Sequence, residues 1–291
     1  MTTTEMSAAL IVQGVDVETR ALKMLATLTG ARSIAGLGNG AFRLVDARPH
    51  EHIAGFCANE KLDWAWVPAA RAIDTLKLAA FDMDSTLITI ECIDELADFA
   101  GCKDKVSEIT AAAMRGELDY ASSLRRRVKL LAGIDATSLE SVFLERLRYS
   151  PGAESLLRRL RSLGVRTLLV SGGFTYFTDR VRDHLQIDYT RSNTLVVEDG
   201  RLTGELDGGV VDADAKAAEL ASHARDLGVG ASGVLAVGDG ANDLKMMALA
   251  GTSVAWRAKP AAQAAATHAL NHAGLDGVLN LFTPRGDPLD D

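Results

Sequence analysis

The sequence predicts an α/β protein: a doubly wound parallel sheet with an inserted helical cap, preceded by a small α+β ferredoxin-like unit. Three observations lead there. Continuous apolar runs of strand length at 76–81, 165–170 and 234–237 alternate with amphipathic segments, as expected of parallel strands covered on both faces. The first ~70 residues read instead as strand, helix, two strands, helix and strand. About 60 residues of helical pattern separate the first two long apolar runs, more than a crossover needs.

Taken in order, residues 8–13 read as a strand, and Leu22, Leu25 and Leu28 give 16–29 a helical spacing. Strands are expected at 33–35 and 41–45, a helix at 50–59 and a fourth strand at 64–67. The glycine run 36–40 looks like a dinucleotide loop, but a strand-like segment follows where such a loop needs a helix. Asn39-Gly40 is therefore a hairpin turn. After the strand at 76–81 come cap helices at 93–99, 103–115, 120–131 and 138–147. Next is a helix at 151–163, opened by Pro151 and closed by Gly164. Asp199-Gly200 marks a second hairpin, and 253–255 reads as a further strand. The expected units are 1–74 and 75–291, with the cap at about 89–150.

The chain has 291 residues, 47% of them apolar, and a formal net charge of −8. That acidity argues against a nucleic-acid partner. No apolar run approaches the roughly 18–20 residues that span a bilayer, so no membrane partner is expected. Residues 1–6 lack a basic stretch before an apolar core, so no secretory leader is expected, and 284–291 read as a frayed polar tail. Cys57, Cys92 and Cys102 are sparse and scattered, which fits reduced thiols in a cytoplasm.

Each long apolar run ends in a polar cluster: Asp82 and Asp84 after the first, Ser171-Gly172-Gly173 after the second, and Gly238-Asp239-Gly240-Ala241-Asn242-Asp243 after the third. Open α/β sheets gather ligands at these strand ends. Four converging carboxylates would repel one another, and a hard divalent cation removes that conflict. Lys216, in a helical segment, adds positive charge. Ser171 and the glycines offer a hydroxyl and backbone N–H groups to an anion. The sum suits a phosphate dianion beside a metal ion. If the strand ends at Asp82, alternation puts Asp84 on the same side, so one carboxylate can attack phosphorus while the other serves the leaving oxygen.

Asp82-Met83-Asp84-Ser85-Thr86, Ser171-Gly172-Gly173, Lys216 and the run from Gly238 to Asp243 resemble the four ordered motifs of the haloacid dehalogenase (HAD-like) superfamily of phosphotransferases. Over about 76–282 the chain is similar to its phosphoserine phosphatase family, through "DMDSTLITIECIDELADFAG", "SLRRRVKLL", "VSGGF" and "VGDGANDLKM". The resemblance implies a HAD-like Rossmannoid fold and Mg²⁺-dependent hydrolysis of O-phospho-L-serine through an aspartyl-phosphate, the last step of L-serine biosynthesis. It implies Asp82 as nucleophile and metal ligand, and Asp84 as general acid and base, bound to metal through its carbonyl. Asp239 becomes a ligand and Asp243 its support. Ser171, Gly172 and Lys216 would hold the phosphoryl group, with Asn242 beside them. In the cap, Glu91 would meet the substrate ammonium and Arg127 its carboxylate, under Met114 and Tyr120. The N-terminal unit resembles ACT-like modules in strand order, which implies amino-acid binding or a homodimer.

Each feature also has a plainer reading. An acidic pair at a strand end can be a turn or cap, Lys216 a solvated helix lysine, and Gly238–Asp243 a tight turn with a capped helix. Arg125 and Arg126 read as a solvated face, and His268 and His272 as surface residues. Phosphothreonine or phosphohomoserine are alternative substrates, and an idle amino-acid sensor is an alternative function.

Overall fold

The computed structural model describes residues 8–284; the readings of a missing leader and a frayed tail fall largely outside these. The chain begins with β1 (Ala8–Gln13), α1 (Thr19–Thr29), β2 (Ser33–Gly38), β3 (Ala41–Val45), α2 (Ile53–Asn59) and β4 (Asp63–Pro68). These strands form an antiparallel sheet in the order β2-β3-β1-β4, the ferredoxin-like arrangement. Asn39 and Gly40 both take positive φ at the tip of the β2–β3 hairpin, as a tight primed turn requires. The helix expected from residue 50 starts at Ile53, because His50 forms a preceding turn whose carbonyl accepts from Ile53 N at 3.2 Å.

β5 (Leu78–Phe81) opens a second sheet. Leu78 and Ala80 pack into one apolar cluster while Ala79 and Phe81 pack into another, so the strand is buried on both faces. The cap follows: α3 (Cys92–Phe99), α4 (Lys103–Met114), α5 (Tyr120–Lys129) and α6 (Thr137–Ser141). Its two necks are stitched by an Ile88–Tyr149 bridge and by Ser150 N donating to Leu87 O at 2.9 Å. The single helix expected over 138–147 instead divides into α6 and a wider turn over Val142–Arg146. Arg148 donates to the carbonyls of Glu145 and Leu147, supplying the partners that a continuing helix would otherwise provide.

The chain continues through α7 (Ala153–Ser162), β6 (Arg166–Phe174), α8 (Thr175–Leu185), β7 (Tyr189–Glu198), β8 (Arg201–Asp207), α9 (Ala213–Asp226), β9 (Val234–Gly238), α10 (Leu244–Met247), β10 (Thr252–Trp256), α11 (Pro260–Ala265) and β11 (His268–Leu270). The sheet order is β11-β10-β9-β5-β6-β7-β8, parallel except where β8 folds back on β7. β5 lies centrally, with β6 on one side and β9 on the other. The winding reverses there, which leaves a crevice at the carboxyl ends of these three strands. Among the described residues, no helix is long and apolar enough to cross a membrane.

The two sheets are joined by buried polar anchors. The Asp63 carboxylate, 4% exposed, accepts from the backbone N–H groups of Asn271, His272 and Ala273 at 2.7, 2.9 and 2.8 Å. Gln13 donates to Gly277 O and accepts from Asn280. The surface reading of His268 needs correction. It lies half-buried on the edge strand β11 against Arg71, and burial, then Arg71, pushes its imidazole down to about 4.

Asp63→Ala leaves three amides without their acceptor. We expect it to lower Tm by roughly 5–10 °C in a calorimetric scan, with Asp63→Asn losing less; a shift under about 2 °C would mean the amides find other partners.

Candidate active site

The site is built from the strand ends. β5 stops at Phe81, and Asp82 remains extended, its Oδ1 accepting from Met83 N at 2.7 Å. The chain then turns through Asp84 and Ser85, the latter with φ of 55°. Strand alternation therefore does not bring the two carboxylates together, as the spacing suggested. A tight turn does so, closed by Ile88 N donating to Met83 O and Ser85 N to Ile90 O.

β6 ends irregularly between Val170 and Phe174. There the Ser171 Oγ accepts from Gly173 N at 2.9 Å. A Cβ on Gly172 would run into the Tyr120 hydroxyl, so any side chain there would have to displace this cap residue. A Cβ on Gly173 would lie 3.1 Å from both Asp84 Oδ2 and Ser171 Oγ, which puts these two groups on neighbouring walls.

After β9, a short turn over Ala241–Asp243 carries Asn242, whose Nδ2 donates to Asp82 Oδ2 at 3.1 Å. α9 starts on Asp212, which caps Ala215 N, and places Lys216 one residue later. The Lys216 Nζ is 2.7 Å from Asp82 Oδ2 and 2.9 Å from Asp243 Oδ1, and its side chain is 1% exposed. The other Asp243 oxygen accepts from Gly240 N. Both oxygens of Asp243 are thus engaged by the protein, an arrangement that suits a supporting group.

A cavity of about 680 Å³ lies above these groups, and Asp82, Asp84, Ser171, Gly172, Asp239 and Asn242 line its floor. Glu91, Met114, Tyr120 and Arg127 line it from the cap side. Lys216 and Asp243 sit behind Asp82. Ser85 Oγ donates to Glu91 Oε1 at 2.7 Å. Arg127 turns inward and its buried Nε has no partner, whereas Arg125 and Arg126 are exposed. Met114 is 70% exposed, at the mouth.

The electrostatics follow from crowding. Burial, then Glu91 and Asp82, pushes the Asp84 carboxyl well above the ordinary range. Burial, then Asp82, raises Asp239 to about 6, while Lys259 and Lys216 pull it the other way. Asp243 is raised to about 7, again by burial first and Asp82 second. Burial works against the Lys216 ammonium, but Asp243 and Asp82 outweigh it and keep the group charged. Burial raises the Tyr120 phenol to about 12, so its hydroxyl stays protonated. Asp82, Asp239 and Asp243 each offer an oxygen within 4.8 Å of the others. All-oxygen donors at this spacing, with burial raising Asp239 and Asp243, fit a hard divalent ion.

Two site residues carry no sequence signal. Asn193 on β7 donates to Gly172 O and accepts from Val211 N, both at 2.8 Å, locking the Gly172 peptide. Lys259, at the start of α11, lines the cavity and donates its backbone N–H to Asp239 O at 3.0 Å. A third, Ser123, lines the cavity one helical turn before Arg127, a spacing from which it could have been found.

A family model for haloacid dehalogenase-like hydrolases matches residues 79–248, and one described only as a domain of unknown function matches 10–54. A phosphoserine phosphatase of Polaromonas sp. is 51% identical over 214 residues, covering 72% of this chain and 91% of that protein. The unliganded crystal structure of a probable phosphoserine phosphatase from Vibrio cholerae superposes with a TM-score of 0.83 at 36% identity, over 96% of this chain and 88% of that one. A substrate-bound phosphoserine phosphatase complex superposes at 0.67 and 36% identity, over 72% of this chain and 99% of that one. By model, sequence and fold, the chain belongs to the haloacid dehalogenase-like hydrolases, in the phosphoserine phosphatase family.

Proposed function

We propose that this protein hydrolyses O-phospho-L-serine to L-serine and phosphate with the help of Mg²⁺. The observation that carries the reading is the Asp82 carboxylate, held by Lys216, Asn242 and Met83 N at the floor of a cavity that also presents Asp84 and an unpartnered Arg127.

Asp82, Asp239 and the Asp84 backbone would hold the metal, with Asp243 supporting them; a bound divalent cation supplies positive charge against the phosphoryl oxygens. The Ser171 hydroxyl, the amides around Gly172 and the Lys216 ammonium orient the phosphoryl group. The Asp82 oxygen attacks phosphorus and an aspartyl-phosphate forms. Asp84, whose proton is retained by its surroundings, gives that proton to the departing serine oxygen. The resulting carboxylate then takes a proton from the water that hydrolyses the acyl phosphate. Closure of the cap keeps water from Asp82 until serine leaves. Glu91 and Arg127 face the ammonium and the carboxylate of the substrate.

Asp82→Asn keeps the hydrogen-bonding shape but not the nucleophile. Purified variant and parent are compared for phosphate release from O-phospho-L-serine with Mg²⁺; we expect at least a ~10³-fold loss, and release within tenfold of the parent would remove Asp82 as nucleophile.

Arg127→Ala is expected to lower kcat/KM for O-phospho-L-serine by ~100-fold and for O-phosphoethanolamine, which lacks the carboxylate, by much less. Equal losses on the two esters would take Arg127 out of carboxylate recognition.

Protons compete with a cation for Asp239, whose carboxyl titrates near 6 in the metal-free site. Above that pH the carboxylate is charged and crowded, so cation binding relieves most strain there; below it, protonation has already done so. The rise in Tm on adding Mg²⁺ should therefore shrink as pH falls from 7.5 to 5.5. A rise that stays constant across this window would put the ion elsewhere.

A further inference from the structure

The hydroxyl of Ser123 is the feature of the cavity that the mechanism above leaves idle. Ser123 sits inside α5 and is 1% exposed, yet its Oγ has no hydrogen-bond partner. A serine in a helix interior commonly donates to the carbonyl four residues back. Here Asp119 O accepts only the Ser123 backbone N–H, at 3.0 Å. Four residues on, Arg127 has its buried Nε equally unpartnered. Side chains at this spacing lie side by side, roughly 5–6 Å apart at Cβ, and both line the cavity. A helix has thus placed one neutral and one charged donor next to each other, facing the same space and unsatisfied. Each such group is expensive to leave without a partner.

We infer that Ser123 is a specificity-determining residue, donating its hydroxyl to the same carboxylate that Arg127 grips. This rests on the phosphoserine reading given above. A carboxylate has room for several donors on its two oxygens, so a guanidinium N–H and a hydroxyl can serve it together. The phosphoryl group has its own donors on the sheet side, in Ser171, the glycine amides and Lys216. The carboxylates of the cavity other than the protonated Asp84, namely Asp82, Glu91, Asp94 and Asp239, would repel a second anion. The α5 face offers a place for one, and neighbouring Ile93 and Leu124 strengthen the contact by keeping it dry.

The test is Ser123→Ala in the full-length, Mg²⁺-loaded protein. kcat/KM is measured for O-phospho-L-serine and for O-phosphoethanolamine. The ratio of the two should fall about tenfold, mainly through KM. Because the deleted hydroxyl has no partner without substrate, Tm of the ligand-free variant should be unchanged or higher. A ratio equal to the parent's, or a loss of Tm with equal losses on both esters, would overturn the assignment and make Ser123 structural. Adding Arg127→Ala separates shared from independent action: in that background Ser123→Ala should change the ratio less than twofold, and a full tenfold change there would place the two donors on different groups. If the parent itself shows no preference for the ester bearing a carboxylate, the phosphoserine reading fails and Ser123 falls with it. A parent preference that survives in Ser123→Ala removes Ser123 alone.

Discussion

The site depends on one buried cation. Lys216 has left water entirely, and only the two carboxylates it touches, on Asp82 and Asp243, make that tolerable. The dependence is mutual. Asp82 follows the central strand, Asp243 lies in the turn after a neighbouring one, and without an ammonium between them their charges would repel. The lysine thus ties α9 to the ends of β5 and β9 and leaves one Asp82 oxygen oriented by Lys216 and Asn242, with the other on Met83 N. A carboxylate held on both oxygens by fixed groups has little rotation left to lose, the condition that favours attack on a bound phosphoryl group.

Around that centre, glycine serves mainly to let groups approach. Gly238 has no room for a Cβ because it would run into the Asp243 carboxylate, which is fixed by Lys216 and Gly240 N. Gly172 is confined in the same way by Tyr120, a residue of the cap. The two contacts differ in consequence. The first is internal to the sheet domain and sets the Lys216 pocket. The second lets the cap rest on the phosphate-binding loop, and Asn193 keeps the loop's peptide from rotating beneath it.

Much of this was legible in the sequence, for a physical reason. Parallel strands buried on both faces must be apolar throughout, so β5, β6 and β9 announce themselves, and polar clusters at their ends stand out against that background. The hairpins at Asn39-Gly40 and Asp199-Gly200 were equally plain, since few residue pairs accept two positive φ values in a row. Long-range polar contacts were not legible. Asn193 meets partners about twenty residues away in either direction, and Asp63 meets amides more than two hundred residues on. Nothing local distinguishes such residues from a surface asparagine or aspartate. The widening of the helix after α6 was hidden too, since the periodicity of apolar residues does not tell an ordinary turn from the wider one that Leu147 N closes on Val142 O. The geometry of Asp84 was read for the wrong cause: a turn stabilised by its own backbone bonds aims it, not the pleat of the strand.

The cavity's unsatisfied groups divide by position, and the division says which wall reads the substrate. On the sheet side, Asp82, Asp243, Ser171 and Lys216 already have protein partners, so the reacting groups are held before anything binds. On the cap side, Arg127 Nε and the Ser123 hydroxyl are buried and lack them, and Asp84 leaves one oxygen free between the two walls. Pre-satisfied groups cannot discriminate strongly, because they lose little when a ligand is wrong. Unsatisfied buried groups discriminate well, because a ligand lacking the matching atoms leaves their desolvation uncompensated. Chemistry on the rigid sheet and recognition on the inserted helices is therefore a consequence of where the polar groups found partners. A change of cap sequence at positions such as 123 and 127 would redirect the substrate while leaving the phosphoryl-transfer floor intact.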